Sequence, residues 1–295
     1  MTFRTSRKLI ILMYHQVLEA LDPMRPFEVD VHTFRRQMMS LKRWNNVVSL
    51  RDGVRRLRDQ TLPSRAVAVT FDDGYQDNFR NAMPILRDLQ IPATIFVATG
   101  FTGKGTMFND LVIEAVSQCT RDSIEVPGLD QKIPLGNSLE ERRQAVARIL
   151  EQIKYLPLDE RQAIAESLAA SVGADSGHTP MMTRDEIRAV RNQGIEIGAH
   201  TVRHPILRKL GDDEAREEIY SSKEELEDIL NEEVAGFAYP NGRPGRDFGQ
   251  RDVNLVKHAG FEYAVTTDWS AGQVDSDPFR LPRISFGTRT GLRPQ

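Results

Sequence analysis

The sequence predicts an α/β protein built around a mainly parallel sheet. Three observations carry this: short apolar runs that read as strands, helical periodicity between most of them, and stop signals at the junctions. The runs are Leu9–Met13, Ala66–Phe71, Thr94–Val97, Glu196–Ala199, Val234–Ala238 and Tyr263–Thr266. Most are apolar nearly throughout, which suits strands covered on both faces. Apolar residues recur at helical spacing over Phe79–Leu89, Arg184–Asn192, Asp213–Leu230 and Val253–Ala259. Ile91-Pro92 and Gly194-Ile195 each close a helix and lead into a strand. Such alternation fits either an open doubly wound sheet or a barrel.

One stretch breaks the rhythm. Residues of about 101–182 contain no convincing barrel strand, and Leu139–Val172 is strongly helical, interrupted at Pro157. Gly173–Pro180 then reads as a loop. The chain, 1–295, is accordingly read as one domain carrying a helical insertion at about 101–182.

Charged residues make up 27% of the chain and the net charge is −3, which gives no basic surplus for nucleic acid or an anionic membrane. The cluster from Arg51 to Arg58 reads as a solvated helix face. Cys119, the only cysteine, excludes an intrachain disulfide and sits beside the apolar helical pattern Leu111–Val116 as a packing residue. Arg4, Arg7 and Lys8 precede Leu9–Met13 in a signal-like order. The apolar run nevertheless ends at Tyr14-His15, lacks a small-residue cleavage site, and is far shorter than the roughly 20 residues that span a bilayer. A buried strand, a cytoplasmic location and no transmembrane segment are the expectation.

The chemistry gathers at two strand ends. Thr70-Phe71-Asp72-Asp73-Gly74 follows an apolar strand, and side-chain alternation turns one of the two adjacent carboxylates inward. An acidic Asp-Gly turn is the plain alternative. Gly198-Ala199-His200-Thr201-Val202-Arg203-His204-Pro205 delivers two histidines four residues apart at the end of another strand. One carboxylate and two imidazoles form a three-ligand set for zinc or a related ion, with positions left for water and substrate.

These residues resemble the first two motifs of the polysaccharide deacetylases, the NodB-type carbohydrate esterases of family 4. Ile11-Leu12-Met13-Tyr14-His15, Pro92-Ala93-Thr94-Ile95-Phe96-Val97, Phe237-Ala238-Tyr239-Pro240-Asn241-Gly242 and Phe279-Arg280-Leu281-Pro282-Arg283-Ile284 extend the similarity from about residue 9 to residue 286. The resemblance implies a distorted (β/α) barrel, often of seven strands, with a divalent metal at its C-terminal face. By position, Asp73, His200 and His204 would hold the metal and Asp72 would be the general base. Zinc is the expected ion, with cobalt, nickel or manganese also compatible with the donors. The reaction implied is removal of N-acetyl groups from an N-acetylated oligo- or polysaccharide, or from an activated sugar precursor. A backbone N–H of the Tyr239–Gly242 loop would assist, with Tyr239 and Asn241 at the substrate.

The sequence departs from this family at two points. The third motif carries Ala238-Tyr239-Pro240-Asn241-Gly242 where many members have an arginine that orients the catalytic aspartate. Arg283, at another strand end, is the expected substitute, since its fork matches a carboxylate. The late Leu-x-His motif is also absent, and His258 falls inside a helical pattern. His15, emerging from the first strand, is the candidate general acid. Trp269 offers an aromatic face for a sugar, while Tyr75 and Asn78 are candidates for the same pocket. His32 and His178 read as surface residues. Two other functions fit the same fold: hydrolysis of O-acetyl esters or cyclic amides, and carbohydrate binding without catalysis. Retention of Asp72, Asp73, His200 and His204 weighs against the last.

Overall fold

The strand Ala66–Phe71 shows how the sheet is built. All six residues are buried, and alternate ones serve two different cores. Ala66 and Ala68 join Leu9, Ile11, Phe96, Ala238, Tyr263 and Val265 on one face. Val67, Val69 and Phe71 join Leu12, Ile95, Val97, Ile197 and Phe237 on the other. This is the period of two expected of a strand, with apolar partners on both sides.

The computed structural model describes residues 7–129, 131–174 and 181–286; Arg4, His178 and residues 175–180 of the expected loop lie outside them. In chain order come β1 (Leu9–Tyr14), β2 (Val17–Leu18), β3 (Val29–Asp30), α1 (Val31–Trp44), β4 (Asn46–Val47), α2 (Leu50–Arg58) and β5 (Ala66–Phe71). A π-helical turn, Asn78–Ala82, runs into α3 (Met83–Leu89) and is followed by β6 (Ala93–Val97). Then come α4 (Phe108–Gln118), β7 (Ser123–Val126), β8 (Gln131–Pro134), α5 (Leu139–Ile153) and α6 (Leu158–Ser171). The chain continues through α7 (Arg184–Asn192), β9 (Glu196–Ala199), α8 (Asp212–Leu230), β10 (Gly236–Ala238), α9 (Gln250–His258), β11 (Tyr263–Val265) and β12 (Ile284–Ser285).

One parallel sheet runs in the order β11-β10-β9-β6-β5-β1-β12, with β4 beside the start of β5. The segment around Arg283 touches both of its edges: Leu281 bridges Val265 of β11, while Ile284 and Ser285 pair with Leu12 and Met13 of β1. The sheet therefore curls back on itself as a distorted (β/α) barrel. Its inner face is small where it must be. A methyl group at Gly198 would stand 2.5 Å from the Phe96 ring, and one at Gly236 would stand 2.5 Å from the Tyr263 hydroxyl. The two aromatic rings thus fill the interior across glycines, in keeping with close packing. Helices α1, α3, α7, α8 and α9 cover the outer face through Phe34, Ile85, Ile187, Ile219 and Val253.

The stretch read as an insertion is a compact unit of its own, formed by Gly103–Met181 together with Asp22–Arg25, while the remaining residues form the barrel unit. Helices α4, α5 and α6 share a core of Leu111, Val112, Val116, Cys119, Ile149 and Leu168. Beside these helices the unit holds two short strands that do not join the barrel sheet. β7 and β8 form an antiparallel hairpin in which Ile124 and Val126 are buried and Glu125 is exposed. Four residues of alternation are too few to stand out in sequence. Arg25 ties the short early segment into this unit, reaching Asp22 at 2.6 Å and Glu114 at 2.8 Å, and Arg143 donates to the Pro23 carbonyl. Among the described residues no helix is long and apolar enough to cross a membrane.

Candidate active site

The inward-facing series Ala66, Ala68, Thr70 continues past the end of β5 to Asp72, so the strand's own pleat aims this carboxylate into the barrel. Asp72 is only 3% exposed. Arg283 grips it with both ends of the fork, Nη1 to Oδ1 at 2.6 Å and Nη2 to Oδ2 at 2.7 Å. The guanidinium is itself fixed. Its Nε donates to the Thr266 carbonyl at 3.0 Å, Nη1 also donates to Thr70 Oγ1 at 3.3 Å, and it lies over the Phe96 ring. Burial by itself raises the Asp72 pKa, but the charge and hydrogen bonds of Arg283, the foremost of its neighbours, outweigh it and hold the carboxyl below its usual value. Asp72 is therefore an ionised, oriented carboxylate at neutral pH.

Asp73 leaves the strand with φ +74° and Gly74 follows at φ +86°, a left-handed pair that turns the chain and swings the second carboxylate away from Arg283. Its Oδ1 lies 3.5 Å from His200 Nε2 and 3.6 Å from His204 Nε2. One ligand atom from each of the three residues falls within 4.8 Å of the others. Donors around a zinc at roughly 2.0–2.2 Å stand about 3.4 Å apart, so this spacing fits an ion. The chemistry of the donors fits too. His200 Nδ1 lies 2.7 Å from the Ala238 carbonyl, which can only accept, so that nitrogen carries the proton and Nε2 is left to face Asp73. Burial pushes the His200 pKa down to about 4, against the pull of Asp72, and keeps the ring neutral as a ligand must be.

His15 follows β1 and is half-buried, close enough for its charge to act on both Asp72 and His200. The loop that bears it is held by the π-helical turn: Asn78 Nδ2 donates to the His15 carbonyl at 2.8 Å and Asn81 Nδ2 to the Val17 carbonyl at 2.7 Å. Asn78 is fully buried, so its role is to hold this loop and not to line an open pocket. His32 and His258 are exposed.

Two of the residues expected at the substrate, Tyr239 and Tyr75, are buried in this structure. The Tyr239 ring is wholly buried, stacked on Phe248 with centroids 3.8 Å apart, and its hydroxyl donates to the Phe279 carbonyl. Tyr75 is only 3% exposed. Tyr239 packs into the core on the outer face of the sheet, because a strand end that reads as polar in sequence can still turn an aromatic side chain inward. The Tyr239 N–H is taken by the Val265 carbonyl and that of Gly242 by the Pro240 carbonyl. Among the described residues the Asn241 N–H makes no hydrogen bond, and it is the donor this loop has to offer. Asn241 has φ +59° and is half-buried, while Trp269 keeps an exposed ring.

A sequence model of the polysaccharide deacetylase family matches residues 59–156 and 157–264, most of the chain and every residue of the Asp-His-His cluster. The chain belongs to the polysaccharide deacetylase family. It is thus a hydrolase of a class that acts on C–N bonds. The Bacillus subtilis protein YxkH is 20% identical over 283 residues, covering 94% of this deacetylase family member and 71% of that protein. A peptidoglycan-N-acetylglucosamine deacetylase of Bacillus cereus is 35% identical over 89 residues, 30% of each chain. Two solved structures share the fold. The Streptococcus pyogenes deacetylase PplD, determined with acetate, superposes with a TM-score of 0.66 at 21% identity, covering 97% of this chain and 96% of that one. IcaB from Ammonifex degensii gives 0.63 at 18% identity, with 95% and 92% covered.

Proposed function

We propose that this deacetylase removes N-acetyl groups from N-acetylated saccharides, with Asp72 as the base. The observation that carries the reading is the bidentate Arg283–Asp72 pair set directly beside Asp73, His200 and His204. A divalent ion held by those three residues, zinc first by the mixture of imidazole and carboxylate donors and cobalt, nickel or manganese otherwise, would supply a Lewis acid and lower the pKa of water. The chain's own residues account for the rest. Asp72 is kept ionised and aimed by Arg283, ready to take a proton from attacking water. The Asn241 N–H is the donor for the oxygen that gains charge as the acetamide carbon becomes tetrahedral. His15 would give a proton to the departing sugar amine, freeing it from acetate. The Trp269 face would stack on a sugar ring.

The natural substrate in this reading is an N-acetylated oligo- or polysaccharide or an activated sugar precursor, met in the cytoplasm. Acetate release from N-acetylglucosamine oligomers is the direct test, comparing chelated protein with protein resupplied with zinc or cobalt. Release restored by metal is the expected outcome. Absence of release from protein that demonstrably holds metal would reject the N-acetyl sugar reading in favour of an ester or cyclic-amide substrate.

A further inference from the structure

The loop between the two histidines, His200 to His204, is built in a strained conformation. Thr201 has φ +64° and His204 has φ +53°, the left-handed region that a β-branched residue seldom enters. Something must hold it there. From one side, the N–H groups of Thr99 and Gly100 donate to the carbonyls of Thr201 and Val202 at 3.1 and 2.9 Å. Gly100 permits this approach, since a methyl group in its place would lie 2.8 Å from the Val202 oxygen. From the other side comes Glu218 of α8, a carboxylate only 4% exposed that contributes no atom to the Asp-His-His cluster. Its Oε2 accepts the N–H groups of Val202 at 2.9 Å and Arg203 at 2.8 Å, and its Oε1 accepts Arg203 Nε at 3.0 Å.

We infer that Glu218 is a positioning residue for the candidate metal site, locking the strained loop so that His200 and His204 present their Nε2 atoms together. The inference rests on the metal reading above. A free loop would relax toward ordinary backbone angles and carry His204 away from Asp73, whereas His200 is separately held by the Ala238 carbonyl. Buried N–H groups left without an acceptor add a further cost to the native loop.

Zinc affinity of the full chain, measured by competition with a chelator, tests this alongside amide exchange at Val202 and Arg203. Glu218→Ala is expected to weaken zinc binding about ten- to a hundredfold, the usual loss when an outer partner of a ligand is removed, and to speed exchange at both amides. Glu218→Gln keeps an oxygen for the two N–H groups and is expected to restore affinity to within roughly threefold of the parent, a rescue that follows from the hydrogen-bonding argument. Activity of the alanine variant should return at saturating zinc. Unchanged zinc affinity in a folded Glu218→Ala protein would overturn the inference alone. A glutamine variant as weak as the alanine variant would also overturn it, since charge and not the hydrogen bonds would then be the cause. A parent protein that binds no zinc would instead overturn the metal reading, and this inference with it.

Discussion

At the residue scale the site rests on two adjacent aspartates made unlike by the backbone between them. Asp72 completes the inward series of β5 and meets Arg283, while Asp73 turns at φ +74° and meets the histidines. Removing the charge of Asp72 with Asp72→Asn is expected to leave metal content intact and lower turnover by about 10²–10⁴-fold, the range of a lost general base; metal analysis alongside steady-state rates checks both halves. Arg283→Lys keeps a charge but not the fork that reaches both carboxylate oxygens. Turnover should fall about a hundredfold through misplacement of the base, with little change in KM. Arg283→Ala leaves a buried carboxylate without its partner, a change worth roughly 3–5 kcal/mol of stability. Denaturant midpoints would expose that loss, and a protein as stable as the parent would show that Asp72 finds water or another donor.

At the scale of elements, the π-helical turn after β5 has a clear task. An extra residue per turn is uncommon and tends to mark functional sites. Here it brings Asn78 and Asn81 onto the carbonyls of His15 and Val17, so the segment after β5 fixes the segment after β1. Asn78→Ala should strip a buried carbonyl of its donor at a cost of about 1–3 kcal/mol. Because His15 then moves, kcat should drop more than KM. A variant with a lowered melting temperature but unaltered kcat would show that the turn supports stability and does not place His15.

At the scale of the whole barrel, the interior has a polar end that the chemistry does not use. Glu196 begins the inward series that ends in His200, and its carboxyl takes hydrogen bonds from the Tyr263 hydroxyl at 2.8 Å and Thr94 Oγ1 at 3.0 Å. Burial raises its pKa above the usual glutamate value, only partly countered by those bonds and by Arg51. A group with a raised folded pKa favours the native state fully below its unfolded pKa and loses that contribution as pH rises through the folded one. The parent should therefore lose stability relative to Glu196→Gln as pH climbs from about 4 to neutrality. Melting temperatures of the two proteins across that range supply the check, and parallel curves would mean that the carboxyl ionises in place at no cost.

Sequence by itself determined the features set by local periodicity and by residue chemistry. Six strands, four of the five helices that cover them (α3, α7, α8 and α9) and the two polar strand ends are legible because period, burial and turn signals are properties of neighbouring residues. The Asp-His-His set, and with it the family resemblance, is legible for the same reason, since each motif is a short contiguous word. Tertiary structure alone decided what depends on distant segments meeting. It set the two-bond geometry by which the expected Arg283 fork meets Asp72 across 211 positions, turned the Tyr239 ring into the core, paired β7 with β8, and gave the histidine loop to Glu218. A carboxylate seven residues into an amphipathic helix carries no sign in sequence of the amides it accepts. Those amides come into reach only when the curled sheet brings the end of β9 against α8.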